Sequence, residues 1–181
     1  MAGQIANHVG GDQAGRDIVK NYLPTLTGMS RLIKEYGDEQ GQVPQIAAFI
    51  QKLQHYYGAA TEGDVRGLDD KLTAADRQDQ MAYARRAKHN AAQFVLKHQS
   101  SLAAQKIITH LFSKLFTEFQ NKVTPLIQTK TPRVTVDAAI QQVIDSGWLF
   151  LEENPLDIDY ELLQGLLYFL GGNCHIRWDP C

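Results

Sequence analysis

Residues 107–119 read Ile107-Ile108-Thr109-His110-Leu111-Phe112-Ser113-Lys114-Leu115-Phe116-Thr117-Glu118-Phe119. Within the wider segment Ser101 to Ile127, Ile108, Leu111, Phe112, Leu115, Phe116, Phe119, Val123 and Leu126 recur at offsets of three and four. That spacing keeps one broad face of a helix apolar. Burying such side chains is worth on the order of 1.5–3 kcal/mol each before conformational entropy is subtracted. The segment is therefore predicted to be the spine of a helical core. At this spacing its aromatic residues are core packing, not a cofactor box.

Beyond it, Thr129 to Pro132 reads as a loop. Thr135 is expected to cap a helix carrying Val136, Ile140, Val143 and Ile144, with Gly147 as its stop. Trp148 to Leu151 is expected to be extended, and Asn154-Pro155 to break the chain, because a residue before proline avoids helical angles. Asp157 or Asp159 then caps a last helix in which Leu162, Leu163, Leu166, Leu167, Phe169 and Leu170 leave little polar surface. Gly171-Gly172 ends it, and a short extended tail, Asn173 to Asp179, follows. Between Asp145 and Glu161 every charge is negative.

On the N-terminal side of the spine, a helix is predicted from a Thr73 cap to His98, with a thin seam of Met81, Ala84, Ala87 or Lys88, Ala91, Phe94 and Val95. Arg77, Arg85, Arg86, Lys88 and Lys97 give it a positive face, read first as solvated surface and second as a site for phosphate or an acidic partner. Ser30 to Tyr36 reads as a short helix stopped at Gly37, and Pro44 to Tyr57 as another, with Ala59 to Gly67 a loop. The start is different. Val9-Gly10-Gly11-Asp12-Gln13 and Ala14-Gly15-Arg16-Asp17-Ile18 are two similar pentads. Closely spaced glycines oppose a helix by roughly 1 kcal/mol each. Of a flexible tail, a phosphate-cradling loop lacking its usual motif, and short strands completing one another's edges between copies, the last is preferred narrowly over the tail because the pentad repeats. Asp12, Arg16, Asp17 and Ile18 are the candidate oligomerisation residues.

The predicted fold is thus mainly α: a multi-helix bundle with an extended C-terminal tail and a small β-forming N-terminal appendage. The division expected is 1–23 as a glycine-rich oligomerisation segment and 24–181 as a helical interaction domain. The 181 residues are 44% hydrophobic, enough for a core without disulfide staples. A formal charge of -2 argues against nucleic-acid binding by bulk electrostatics. No secretory leader opens the sequence and no apolar run approaches the ~20 residues of a membrane span. A cytoplasmic protein with reduced thiols is the expectation.

Cys174-His175 is the sharpest chemical pair. With Cys181 it offers three metal ligands, one fewer than a structural zinc site needs, and without paired spacing. Adjacent side chains in an extended segment also point apart, which disfavours a thiol–histidine nucleophile. A buried thiol beside a histidine held by backbone hydrogen bonds is the simpler reading. His89, His98 and His110 lie on predicted helices without metal spacing, and no phosphate-binding, dinucleotide or serine-elbow motif occurs. No catalytic residue, metal or cofactor is assigned.

The strings Gly147-Trp148-Leu149-Phe150-Leu151-Glu152-Glu153-Asn154 and Gly165 through Trp178, ending Asn173-Cys174-His175-Ile176-Arg177-Trp178, resemble a C-terminal domain of bacterial ABC-three component systems. The likeness is carried by residues 134–181, and Gly11 to Ile18 also looks like glycine-aspartate segments of such proteins. The resemblance implies a non-enzymatic adaptor of a defence (anti-phage or anti-plasmid) operon, contacting an ABC-type ATPase or an effector. In that family the domain usually follows an effector; a stand-alone connecting subunit is the expectation here. Asn173, His175, Arg177 and Trp178, with Trp148 beneath them, are the expected partner contacts. Two other readings stand beside it: a metal- or thiol-dependent enzyme on Cys174, His175 and Cys181, and a nucleic-acid-sensing subunit using residues 77–97.

Overall fold

The structure is a computed structural model and describes residues 28–39, Tyr56 and 66–180. The chain is mainly α, and no strand occurs among the described residues. In chain order the helices are α1 (Gly28–Glu39), α2 (Leu68–Ala74), α3 (Met81–Lys97, entered through a 3-10 turn at Gln78–Gln80), α4 (Leu102–Glu118), α5 (Thr124–Gln128), α6 (Arg133–Phe150) and α7 (Tyr160–Gly172). The pentads with Asp12, Arg16, Asp17 and Ile18, and the predicted helix Pro44 to Tyr57 apart from Tyr56, lie outside the described residues.

The spine forms as its periodicity requires. The Ser101 hydroxyl accepts the Ala104 amide at 3.2 Å and starts α4. Ile107, Ile108, Leu111, Phe112, Leu115, Phe119 and Val123 are buried, while Phe116 and Leu126 pack at the margin. One feature breaks the regular ladder. Pro125 has no amide to give to the turn before it, and the chain widens into a π turn at Phe119–Val123 immediately upstream. That turn keeps Phe119 and Val123 inward and sets Pro125 in the first turn of α5, where its missing donor is harmless.

Several expected ends fall elsewhere. α1 runs through Gly37 to Glu39 and buries Met29, Ile33 and Tyr36 against α4. The predicted helix from Thr73 is two helices, because Asp76 takes a left-handed angle (φ 54°) between α2 and α3. Thr73 lies inside α2 and returns its hydroxyl to the Asp69 carbonyl at 2.8 Å. α6 begins at Arg133, before Thr135, and continues through Gly147 to Phe150, so Trp148 to Phe150 is helical and not extended. Gly147 is small for packing: a Cβ there would lie 2.9 Å from Leu115 Cδ2. Asp159 does cap α7, its Oδ1 accepting the Leu162 amide at 2.7 Å.

The most extensive helix contact joins α3 to α7. Ala84, Ala87 and Ala91 line the α3 side, and Gly165 faces them. Small residues on both helices bring the backbones together, and a Cβ at Gly165 would sit 2.5 Å from the Ala87 carbonyl oxygen. No rotamer relieves a clash with backbone. Gly165→Ala is expected to cost about 1–3 kcal/mol, despite the better helix propensity of alanine; chemical denaturation checks it.

α4 is tied to α6 through Glu118. It accepts from Lys114, from Lys122 at 2.8 Å and from the Ser146 hydroxyl at 2.7 Å. Burial alone would raise its pKa, but these donors outweigh burial and bring it down to about 2. A folded-state pKa below the unfolded one stabilises the protein above the unfolded value and loses that contribution as pH falls through the folded value. Stability should therefore decline between the usual glutamate range and about pH 2. Urea titrations across that range should show a smaller decline for Glu118→Gln.

Candidate functional site

Two places carry the residues singled out by sequence, and they lie at opposite ends of α7. At its C-terminus the helix closes with a Schellman motif. The Cys174 amide donates to Gly171 O at 3.3 Å, and the His175 amide to Leu170 O at 2.9 Å. Cys174 holds the left-handed position usually given to glycine (φ 66°). Gly171 and Gly172 are the last residues of the helix, not a stop beyond it. A Cβ on Gly171 would lie 2.6 Å from the Trp178 indole nitrogen.

Lys71, fully buried on α2, donates its ammonium to Gly171 O at 2.8 Å and Ile176 O at 3.3 Å. A cation on the last carbonyls of a helix is favoured by the helix dipole. The tail then folds inward and is an irregular clamp, not an extended strand. Ile176 is buried, and Trp178, 3% exposed, packs 5.3 Å from both Phe119 and Tyr168 by ring centroids. Arg77 lies 5.8 Å over the Trp178 ring. Burial pushes the Tyr168 hydroxyl up to about 12. Asp179 is buried and pairs with Arg66 at 2.7 Å and Arg177 at 3.2 Å. Asn173 donates to Tyr56 O at 3.0 Å, and the His175 ring meets the Tyr56 ring edge-on at 5.5 Å.

Asn173, His175 and Arg177 are thus half-buried with partners inside the chain, and Trp178 is core. The Cys174 thiol donates to Arg66 O at 3.6 Å. Among the described residues no group of three or more His, Cys, Asp or Glu side chains is placed to hold a metal ion; Cys181 lies outside them. Cys174→Gly removes the strain of a left-handed side-chain residue, worth about 1 kcal/mol. The expected result is a slightly higher melting temperature by calorimetry.

The second place is the α6–α7 corner. Val136, Ile140, Val143, Ile144, Gly147 and Leu151 form the buried face at α6 and its C-cap, which leaves Trp148 and Leu149 off that stripe. Trp148 stacks on Tyr160, ring centroids 5.1 Å apart and planes at 27°. Both are partly open, 37% and 44% exposed, and Leu149 is 76% exposed. The joining turn has left-handed angles at Glu152, Asn154 and Asp157, costly at Glu152 and milder at the Asn and Asp, which tolerate that region. Buried Leu151, Leu156 and Ile158 hold it, and the Asn154 amide both donates to Ile158 O at 2.9 Å and accepts its N–H at 3.0 Å. The aromatic pair therefore sits on a braced corner.

Trp148 is not beneath the tail. Its partner Tyr160 opens α7, whereas Trp178 touches Tyr168 and Gly171, roughly 12–16 Å further along at 1.5 Å per residue. Sequence reasoning missed Leu149, Tyr160 and buried Lys71. The signal for the first was the α6 stripe itself, continued past Gly147.

The predicted positive face of α3 is largely offset by acids of the same chain. Arg77 is buried, contrary to the surface reading, and bonds Asp137 at 2.6 Å. Arg85 pairs with Asp69 at 2.6 Å, holding that carboxyl below its usual range, and Arg86 reaches Glu161 at 3.8 Å. The acidic and basic ends meet within one molecule. An open depression of about 620 Å³ beside α2, bordered by Asp69, Arg85, Lys88 and His89, shares the first of these surface pairs.

A family profile described as C-terminal domain 9 (CTD9) of the ABC-three component (ABC-3C) systems matches residues 67–178, more than half of the chain. The chain belongs to this family. The CTD9 match begins well before residue 134, taking in α2, α3 and the spine as well as the C-terminal strings. Its two ends meet in space, since Lys71 near its start bonds Gly171 and Ile176 near its finish. CTD9 here is a unit closed by Trp178. The glycine-aspartate likeness at Gly11 to Ile18 lies outside the matched residues. No curated protein and no solved structure gives a significant match. Among the described residues no helix is long and apolar enough to cross a membrane.

Proposed function

We propose that the chain is a non-enzymatic docking subunit of an ABC-3C defence system, working in the cytoplasm and coupling other protein components through its CTD9 unit. The observation that carries this reading is the open Trp148–Tyr160 stack with Leu149 beside it, on a domain whose other tryptophan is buried. Tryptophan and tyrosine at a solvent-facing, braced corner are the residue types that most often dominate binding energy between proteins. Membership of a multi-component system supports protein partners, an ABC-type ATPase or an effector among them. Self-association through residues 1–23 remains part of the proposal.

The test is capture of the proteins encoded beside the gene by the tagged full-length chain. Capture by the parent chain, lost in Trp148→Ala and in Tyr160→Ala while each variant still melts in one cooperative transition above the assay temperature, supports docking at this corner. Absence of capture by the parent chain excludes the docking role.

A further inference from the structure

We propose that the segment covering the Trp148–Tyr160 corner is basic: a peptide or helix of a partner protein with Lys or Arg around one apolar anchor. This rests on the docking reading above and names the chemistry of the partner at the same surface.

The first argument is charge. Between Arg133 and Arg177 the sequence has no Lys or Arg at all, so beyond Arg133, the first residue of α6, the charged side chains of α6, the corner and α7 are all acidic. Those nearest the aromatic pair form a rim. Asp145 lies one helical turn before Trp148, Glu153 and Asp157 are exposed on the joining turn, and Asp159 directly precedes Tyr160. All four lie within a few residues of Trp148 or Tyr160, and like charges so grouped reinforce one another at ranges up to a Debye length, about 10 Å at 0.1 M salt. A basic segment is steered to such a rim, whereas nucleic acid, anionic lipid or an acidic peptide is repelled.

The second argument is the aromatic surface. An open indole or phenol face attracts a cation, most strongly for tryptophan. The chain uses the same contact internally, with Arg86 5.5 Å over Tyr83 and Lys114 5.6 Å over Phe150. Among the described residues no Lys or Arg is placed over the Trp148 or Tyr160 ring; Arg86 instead reaches Glu161 and Tyr83, and Lys114 reaches Glu118 and Phe150. The exposed Leu149 offers the apolar contact that an anchor side chain would take. Acidic rim, cation-attracting rings and an apolar spot together describe a basic amphipathic segment.

The probes are overlapping synthetic peptides tiled across the proteins encoded beside the gene, bound to the full-length chain. Peptides retained should carry Lys or Arg flanking an apolar residue. Their affinity should fall about tenfold or more as salt rises from about 50 to 300 mM, and severalfold in Asp145→Asn and in Glu153→Gln. If only an intact component binds, the same salt series and variants are measured on it. Binding by neutral or acidic peptides, or affinity indifferent to both salt and the two rim variants, overturns the basic partner. The docking reading survives that outcome when Trp148→Ala still abolishes capture, and falls with it when Trp148→Ala changes nothing. Self-association in light scattering that disappears in Trp148→Ala places a second copy on the corner and also overturns the inference.

Discussion

Trp178→Ala is expected to lower the unfolding free energy by about 3–5 kcal/mol. For a chain of this length that is a drop in melting temperature of roughly 6–20 °C. The size follows from where the indole sits. It is 3% exposed and fills the space among Phe119 of the π turn, Tyr168 of α7, Gly171 and the Arg77 guanidinium. Alanine leaves a cavity that rigid helices cannot collapse into, and it uncovers a buried cation. It also loosens the clamp in which Lys71 joins α2 to Gly171 and Ile176. Trp178→Phe should lose much less. The indole N–H has no hydrogen-bond partner among the described residues, so its removal sacrifices ring area alone. Denaturant unfolding of the two variants measures the difference.

Trp148→Ala is expected to act chiefly on binding. The ring is 37% exposed and stacks on Tyr160, so folding stability should fall by about 1–3 kcal/mol, less than at Trp178, and the variant stays folded. Binding of the partner component should weaken by about 30-fold or more, the effect of losing an aromatic hot spot of about 2 kcal/mol. Calorimetric titration of parent and variant with the captured component checks this. A weakening of less than threefold in a well-folded variant would move the binding surface away from the corner.

The contrast between the two tryptophans also marks how far residues alone can be read. The spine was legible because eight apolar side chains at helical spacing have one economical burial. The Ser101 and Asp159 starts were legible because each places an oxygen over an otherwise unbonded amide. Glycine was the recurrent difficulty. Gly147 reads as a helix stop because it is free to adopt left-handed angles. The structure needs it for close approach to Leu115, and a single sequence does not separate those two reasons. The left-handed position after α7 went to Cys174, although Gly172 and Asn173, the residue types usual there, directly precede it. Ending α6 at Gly147 also hid the corner, since an extended Trp148–Leu151 gives no face on which Trp148 and Leu149 stand apart from the core.

The shape of the tail was misread for a related reason. Asn173 to Trp178 reads as an extended polar strand, yet Asn173, His175 and Arg177 each find a contact within the chain's own closure. Only a partner from distant sequence, such as Lys71, Arg66 or Tyr56, reveals this. Arg77 shows the same effect, a cation on a basic helix drawn inward by Asp137. The mainly α fold and the CTD9 likeness needed no such long-range knowledge, being carried by periodicity and by contiguous strings.

The most direct measurement uses the chain's own fluorescence. Trp148 and Trp178 are its two tryptophans, so Trp178→Phe leaves Trp148 as the sole indole reporter. Adding the captured component should shift Trp148 emission to shorter wavelength and protect it from acrylamide quenching. A complex that forms by light scattering while Trp148 stays as quenchable as in the free protein would contradict docking at the corner.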